Sequence, residues 1–336
     1  MTEKVDKVLV VGAGRMGRGI ALTFAFAGLP VHLVDMKDRS EDEQNQLKKT
    51  AFREIRTDLD FMASVGLLES GFIDDVLNRI TLLDRENARP SAAEATLIFE
   101  GVPEVMEAKK QAFQWIDEHA NRNAVLASTT STMMVDELAD LVRHPQNFVN
   151  AHWLNPAHLM PLVEISKGSK TSGETIDRLI TILEQIGKVP IVCSSSPGYI
   201  VPRIQALAMN EAARMVEEGV ASAEDIDKAV KVGFGLRFAV LGLLEFIDWG
   251  GGDILYYASD YLSGKIDPAR FSPPDIVVNN MHHRRNGLKD GIGFYDYRNQ
   301  DLAAYRNRRM TDFVRLVRHM DLAPQYNSMQ HMTQQN

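Results

Sequence analysis

Two groups of residues in this 336-residue chain have types and spacing suited to chemistry. The first is the run Gly12-Ala13-Gly14-Arg15-Met16-Gly17, with an acid, Asp35, 23 positions beyond Gly12. Glycines cluster in loops by chance, but these follow a valine-rich run and open a small-residue helix. The acid then closes the next apolar run, which is the setting of a dinucleotide site. Gly12 permits the tight turn, Gly14 lets the backbone approach a pyrophosphate, and Gly17 lets the helix pack on the sheet. Met16 stands in the same turn, where the helix N-terminus faces phosphate charge. Asp35 accepts hydrogen bonds from an adenosine ribose and repels a 2′-phosphate, so the expected cofactor is NAD rather than NADP. Lys37 and Arg39 follow closely and could in principle hold such a phosphate.

The second group is Asn150-Ala151-His152-Trp153-Leu154-Asn155-Pro156, continuing through Pro161-Leu162-Val163-Glu164-Ile165. Oxidising an alcohol moves a hydride to an acceptor while a base removes the hydroxyl proton. Histidine suits that base because its pKa lies near working pH. The stretch resembles the signature of 3-hydroxyacyl-CoA dehydrogenases, in which a strand ends in a histidine, Asn-Pro follows, and a glutamate lies twelve residues on. Phe99-Glu100-Gly101-Val102-Pro103-Glu104 with Lys109 is similar to that family's acid-bearing strand end, and Ala127-Ser128-Thr129-Thr130-Ser131 to its Ser/Thr-rich loop. Pro197-Gly198-Tyr199 matches the start of its second domain, and Gly291-Ile292-Gly293-Phe294-Tyr295 its closing turn. The resemblance spans residues 5–298 in the right order.

What the resemblance implies is an NAD-dependent dehydrogenase that interconverts an L-3-hydroxy compound, most simply a 3-hydroxyacyl-CoA, and its 3-keto form. His152 would be the base and Glu164 the carboxylate that fixes its tautomer and offsets its charge. Ser131 would hydrogen-bond the reacting oxygen, Asn155 would help to place the nicotinamide, and Glu104 and Lys109 would line the cofactor cleft. Glu100 has a loop-supporting reading. The pattern breaks after Pro-Gly-Tyr, where Pro202 stands in place of an asparagine that reaches the substrate oxygen. Proline is housed in the first turn of a helix, and Asn210, two turns on, could supply an amide instead. His152-Trp153 and Gly235-Leu236-Arg237-Phe238-Ala239 look like relatives that act on small free hydroxy acids such as L-gulonate or carnitine. In that alternative Arg237 pairs with a substrate carboxylate, against the plainer reading of a structural ion pair. Lys48, Lys49, Arg53 and Arg56 could meet CoA phosphates or form a solvated helix face. A non-catalytic, crystallin-like protein on the same fold is a third reading, and the paired His152 and Glu164 argue against it.

The elements that must carry these residues are legible in outline. Residues 7–11 read as a strand, 20–27 as a helix closed by Gly28, and 31–34 as a second strand, a unit that predicts a right-handed parallel crossover. Residues 41–79 have helical spacing through Leu47, Phe52, Ile55, Leu59 and Phe61, as a long helix or a helical hairpin. Strands are expected at 80–83, 96–99, 124–128, 148–152 and 189–193, with a helix at 105–120. Another helix starts near Thr171, where Thr171 and Glu174 have capping-box spacing, and ends at Gly187. The pattern changes at Ser194-Ser195-Ser196-Pro197-Gly198 and becomes helical, with Ser222 and Asp225 capping a helix and a basic amphipathic helix beyond Tyr297. The expected fold is therefore α/β, a doubly wound Rossmann domain over 1–195 followed by an all-α substrate and dimerisation domain over 196–325. A mobile tail is expected over 326–336.

Composition limits the partners. The formal net charge of −8 offers no basic field for nucleic acid. Arg284-Arg285 and Arg306, Arg308 and Arg309 read as solvated surface or as a patch for an anionic substrate tail. No apolar run is long enough to cross a bilayer, and the polar start is not expected to be a signal peptide. The single cysteine, Cys193, cannot pair internally, so a reducing cytoplasm is expected. His282 and His283 lack further ligands at metal spacing, and no metal is expected. The partners left are a small-molecule substrate, NAD and a second copy of the chain, the last because the family's second domain forms a two-fold dimer.

Overall fold

A computed structural model of the chain describes residues 7–324. The expected tail over 326–336 lies outside them. The chain divides into two compact units, Met1–Met209 and Asn210–Asn336.

The first unit is built on an eight-stranded sheet. Its strands are β1 (Val8–Val11), β2 (Val31–Asp35), β3 (Ile80–Asp84), β4 (Leu97–Glu100), β5 (Val125–Ser128), β6 (Phe148–Trp153), β7 (Leu162–Lys167) and β8 (Val189–Ser194). Their order is β3-β2-β1-β4-β5-β6-β7-β8, and every neighbouring pair is parallel except β6 with β7. Every residue of β1 and β4 is buried, as continuous apolar runs covered on both faces must be. The strand order reverses between β1 and β4, so the connections that leave their carboxyl ends part to opposite sides and leave a crevice suited to a ligand.

Helices α1 (Arg15–Phe26), α2 (Glu41–Ser64), α3 (Ile73–Asn78), α4 (Arg89–Glu94), α5 (Met106–His119), α6 (Val135–Ala139) and α7 (Gly173–Gln185) flank the sheet. The stretch 41–79 is a helical pair: α2 runs 24 residues, Gly66 turns at φ +77°, and α3 follows. Ser40 and Glu43 form a reciprocal capping box that starts α2. The helix buries Ala51, Ile55, Leu59 and Met62, while Phe61, expected on the same face, is 52% exposed. Helix α7 begins later than expected, with Ser172 as its cap, its hydroxyl accepting from the Thr175 N–H at 3.2 Å. Thr171 is not free for that work. Its hydroxyl accepts from the Gly168 N–H (2.9 Å) and donates to the Phe148 carbonyl (2.8 Å).

Helix α8 (Val201–Glu217) leads out of the first unit. The composition change near 195 marks the end of β8, but the compact division falls inside α8, because the start of that helix is bonded to the sheet. The second unit continues through α9 (Ala223–Ala229), a π-helical turn (Val230–Gly235), α10 (Leu236–Leu241), α11 (Leu243–Gly250), α12 (Gly252–Lys265), α13 (Pro268–Phe271), α14 (Asp275–His282) and α15 (Leu302–His319). The Ser222 hydroxyl caps α9, accepting from the Asp225 N–H at 3.1 Å. The buried Asp248 carboxylate gathers the N–H groups of Phe294 and Tyr295 and the Tyr297 hydroxyl, which fixes the turn at 291–295. A Cβ on Gly293 would lie 2.1 Å from Asp248, so the turn requires glycine there.

Candidate active site

The antiparallel register of β6 and β7 sets His152 directly opposite Glu164. Opposed residues of antiparallel strands point to the same face, and His152 Nδ1 meets Glu164 Oε2 at 2.8 Å with both side chains buried. An ionised glutamate has no proton to give, so opposite one Nδ1–H is the donor and the lone pair of the neutral imidazole lies on Nε2. The other carboxylate oxygen, Oε1, accepts the N–H groups of Ile200 (2.9 Å) and Val201 (2.8 Å) at the start of α8. Both oxygens are thereby satisfied, and the negative charge sits at a helix N-terminus, where the macrodipole favours it.

The loop after β5 is held from below. Glu104 Oε1 accepts from the Thr130 hydroxyl, from the Ser131 and Thr132 N–H groups (each 3.1 Å) and from the Thr132 hydroxyl (2.9 Å). Partial burial pushes the Glu104 carboxyl up, but the Thr130 and Thr132 bonds and the Lys109 charge outweigh it and hold the pKa below the ordinary value. Ser131 is left exposed at the tip, its hydroxyl free of partners among the described residues. Lys109 does not line a cleft as expected. Its side chain is 1% exposed, and its ammonium meets Glu100 Oε1 (3.1 Å), Glu100 Oε2 (3.0 Å), Glu104 Oε2 (3.4 Å) and Ser128 Oγ (3.5 Å). Glu100 also accepts from Ser128 Oγ at 2.5 Å and from the Val102 N–H at 2.9 Å, which bears out its supporting role. Such a buried pair is costly to form and more costly to break, so it makes the floor of the crevice rigid.

The glycine turn lies at the carboxyl end of β1. Gly12 sits at φ +116°, and a Cβ there would be 2.6 Å from the Gly101 carbonyl oxygen. A Cβ on Gly17 would be 1.9 Å from the Gly12 carbonyl oxygen, whereas Gly14 has open space on its Cβ side. Helix α1 has no side-chain cap, so its first N–H groups are available to an anion. Met16 turns its side chain into the core and offers the turn only its backbone. Gly14, Asp35, Met36, Leu47, Val102 and Pro103 border a pocket of about 310 Å³, a volume that suits an adenosine. Arg39 Nε donates to Asp35 at 2.5 Å, so the guanidinium that could grip a 2′-phosphate is already tied to the acid. The open turn, uncapped helix and acid-ended pocket fit a dinucleotide.

Family models agree with this geometry. The model described as "3-hydroxyacyl-CoA dehydrogenase, NAD binding domain" matches residues 7–196, and that for the "3-hydroxyacyl-CoA dehydrogenase, C-terminal domain" matches residues 198–297. The chain belongs to the 3-hydroxyacyl-CoA dehydrogenase family. It is 32% identical over 299 residues to the mitochondrial hydroxyacyl-coenzyme A dehydrogenase of Rattus norvegicus, covering 88% of this chain and 92% of the relative. It is 27% identical over 319 residues to the 5-formyl-3-hydroxy-2-methylpyridine 4-carboxylate 5-dehydrogenase of Mesorhizobium japonicum, covering 94% and 98%. The solved structure of the 3-hydroxyacyl-CoA dehydrogenase of Archaeoglobus fulgidus matches with a TM-score of 0.74 at 30% identity, covering 94% of this chain and 99% of that one. The protein is thus an NAD-dependent oxidoreductase of this family.

Asn155 is exposed in the turn after β6 and borders a second pocket with Arg15, Arg18 and His158. Pro202 occupies the first turn of α8, where the lack of an N–H leaves no bond unmade. Asn210 is exposed on α8. Arg237 is exposed on α10, its Nε donating to the Gly233 carbonyl (3.1 Å) and its guanidinium 5.5 Å from the Phe246 ring centre. Among the described residues no carboxylate forms an ion pair with it. On α2, Lys48, Lys49 and Arg53 are exposed, and Arg56 pairs with Asp74. Among the described residues no three His, Cys, Asp or Glu side chains group as a metal site would. Asn150 and Tyr199 belong to the site as well, and neither is marked in the sequence beyond its place in the Asn150–Pro156 and Pro197-Gly198-Tyr199 motifs. Tyr199 stacks on His152, and Asn150 Nδ2 donates to the Tyr199 hydroxyl.

Proposed function

We propose that this chain oxidises an L-3-hydroxyacyl-CoA to its 3-keto form, and runs the reverse reaction, with His152 as general base. The observation that carries the reading is the buried His152–Glu164 pair at 2.8 Å, which leaves Nε2 as the acceptor. Gly12, Gly14, Gly17, Asp35 and the first N–H groups of α1 hold NAD, which supplies the hydride acceptor when bound. His152 takes the hydroxyl proton at Nε2, and Glu164 offsets the imidazolium charge that results. Its two bonds from α8 keep that carboxylate in place. The free hydroxyl of Ser131 donates to the reacting oxygen, and Asn155 orients the nicotinamide end. Glu104 and Lys109 act one layer below, fixing the Ser131 loop. The names of the rat and Archaeoglobus relatives support the thioester as substrate.

A second reading is favoured by one comparison. The Mesorhizobium relative, named for a pyridine carboxylate, aligns along 94% of this chain, which supports a small free hydroxy acid as substrate. NADH formation from L-3-hydroxybutyryl-CoA, L-gulonate and carnitine separates the two, with His152→Ala alongside. Turnover of the thioester alone, abolished in the variant, is expected. Turnover of a free acid alone overturns the thioester reading and leaves the base assignment standing.

The exposed side chains of Ile254, Tyr257 and Tyr261 recur at three- and four-residue spacing along one face of α12. They support a homodimer through the helical unit. The single cysteine supports a reducing, cytoplasmic setting.

A further inference from the structure

The elbow before α8 touches His152, Glu164 and the loop that carries Ser131. Tyr199 is buried and stands at φ +48°, a left-handed conformation that a bulky residue adopts only when its surroundings impose it. Its ring stacks on the His152 imidazole, with centroids 4.8 Å apart and planes 13° from parallel. Its hydroxyl donates to the Thr130 carbonyl at 2.7 Å, next to Ser131, and accepts from Asn150 Nδ2 at 3.2 Å. The Asn150 amide also donates to the Met133 carbonyl at 3.0 Å, so the Ser131 loop is tied at both ends. The peptide N–H groups that follow Tyr199 are those that hold Glu164.

One hydrogen bond at Nδ1 fixes a point on the imidazole and leaves its plane free to tilt. The Nε2 lone pair lies in that plane, so tilting turns it away from the proton it must accept. A parallel ring against one face removes that freedom, and its π-cloud favours the imidazolium. From this we propose that Tyr199 is a positioning residue that fixes the base His152 through its ring and the Ser131 loop through its hydroxyl. The inference rests on the roles given above to His152 and Ser131. Burial pushes the phenol pKa up, so the hydroxyl stays a donor at working pH. The titratable groups that face the tyrosine are Glu164 from β7, Glu104 from the loop after β4, and Cys193 from β8.

The two functions separate by substitution. Tyr199→Phe keeps the ring and removes the hydroxyl, and Tyr199→Leu removes both. The pH dependence of kcat/KM is measured for both variants, for the wild type and for His152→Ala, with NADH affinity followed by fluorescence titration. Expected for the phenylalanine variant is a kcat about tenfold lower, an unmoved acid limb and NADH affinity within about twofold. The leucine variant shifts the acid limb down by about half a pH unit as well. Wild-type kcat and pH profile in the phenylalanine variant overturn the hydroxyl's role, and an unmoved limb in the leucine variant overturns the ring's. If the leucine variant does not fold, Tyr199→Asn, which also lacks the ring and tolerates the left-handed backbone, takes its place in the pH profile. An inactive His152→Ala beside unaffected Tyr199 variants sinks only this inference, whereas an active His152→Ala sinks the base assignment and the inference with it.

Discussion

At the scale of single residues, the bonds of the site leave His152 Nε2 and Ser131 Oγ free for a substrate, while Asn150 Oδ1 is buried without a partner. Glu164 uses one oxygen on the imidazole and the other on two backbone N–H groups, so it cannot swing to solvent. Its charge offsets the imidazolium only while it is ionised. Glu164→Gln keeps the shape and one acceptor but loses the charge. We expect kcat to fall by about 10²- to 10³-fold, with substrate KM and NADH affinity nearly unchanged. Steady-state kinetics and NADH fluorescence titration check this, and a loss confined to KM would show that Glu164 acts only in binding. The twelve-residue spacing of His152 and Glu164 is legible in the sequence, but it does not tell a helix face from a hairpin. Their contact follows from strand register, which no local pattern states.

At the scale of elements, β7 is the strand that sequence reading passed over. Val163, Glu164, Ile165 and Ser166 are all buried, so the alternation that marks a half-buried strand is missing. The turn between β6 and β7 is clamped by Lys188, which follows Gly187 at the end of α7. Its ammonium donates to the Ala157 (2.7 Å) and Met160 (2.8 Å) carbonyls and lies 5.6 Å from the Trp153 ring centre. Burial lowers its pKa from 10.5 to about 8. A lysine with a depressed native pKa binds fewer protons folded than unfolded, so its contribution to stability rises with pH between those values. The free energy of unfolding of the wild type, less that of Lys188→Met, should be flat below about pH 8. It should rise between there and pH 10.5. Urea titrations at pH 7, 8.5 and 10 measure it, and a difference that falls with pH would contradict the burial account.

At the scale of the whole molecule, family matches run in order from residue 7 to residue 297, through both compact units. No described helix is long and apolar enough to cross a membrane. The exposed face of α12 makes the proposed dimer testable without reference to activity. Ile254→Arg together with Tyr261→Arg should convert a dimer to a monomer in light scattering after size exclusion, since charges are poorly tolerated in an interface core. A wild type that is itself monomeric removes the proposal, and a double variant that stays dimeric moves the interface to another face.

The sequence by itself determined the cofactor turn, because the positive φ of Gly12 and the approach of Gly17 to the Gly12 carbonyl are local and the acid at the end of β2 follows one crossover later. It determined most strands and helices of the first unit, where apolar runs and caps are short-range signals, and through resemblance it marked His152 and Glu164. Only the tertiary structure decided that β7 runs antiparallel to β6, which turns twelve residues of separation into a 2.8 Å contact. It also sank Lys109 beneath the crevice, moved the cap of α7 from Thr171 to Ser172, and tied Arg39 to Asp35. Apart from the Arg39–Asp35 pair, whose members are four residues apart, the decision rests on a partner further along the chain or on competition for one hydrogen bond, and neither leaves a periodic mark in the sequence.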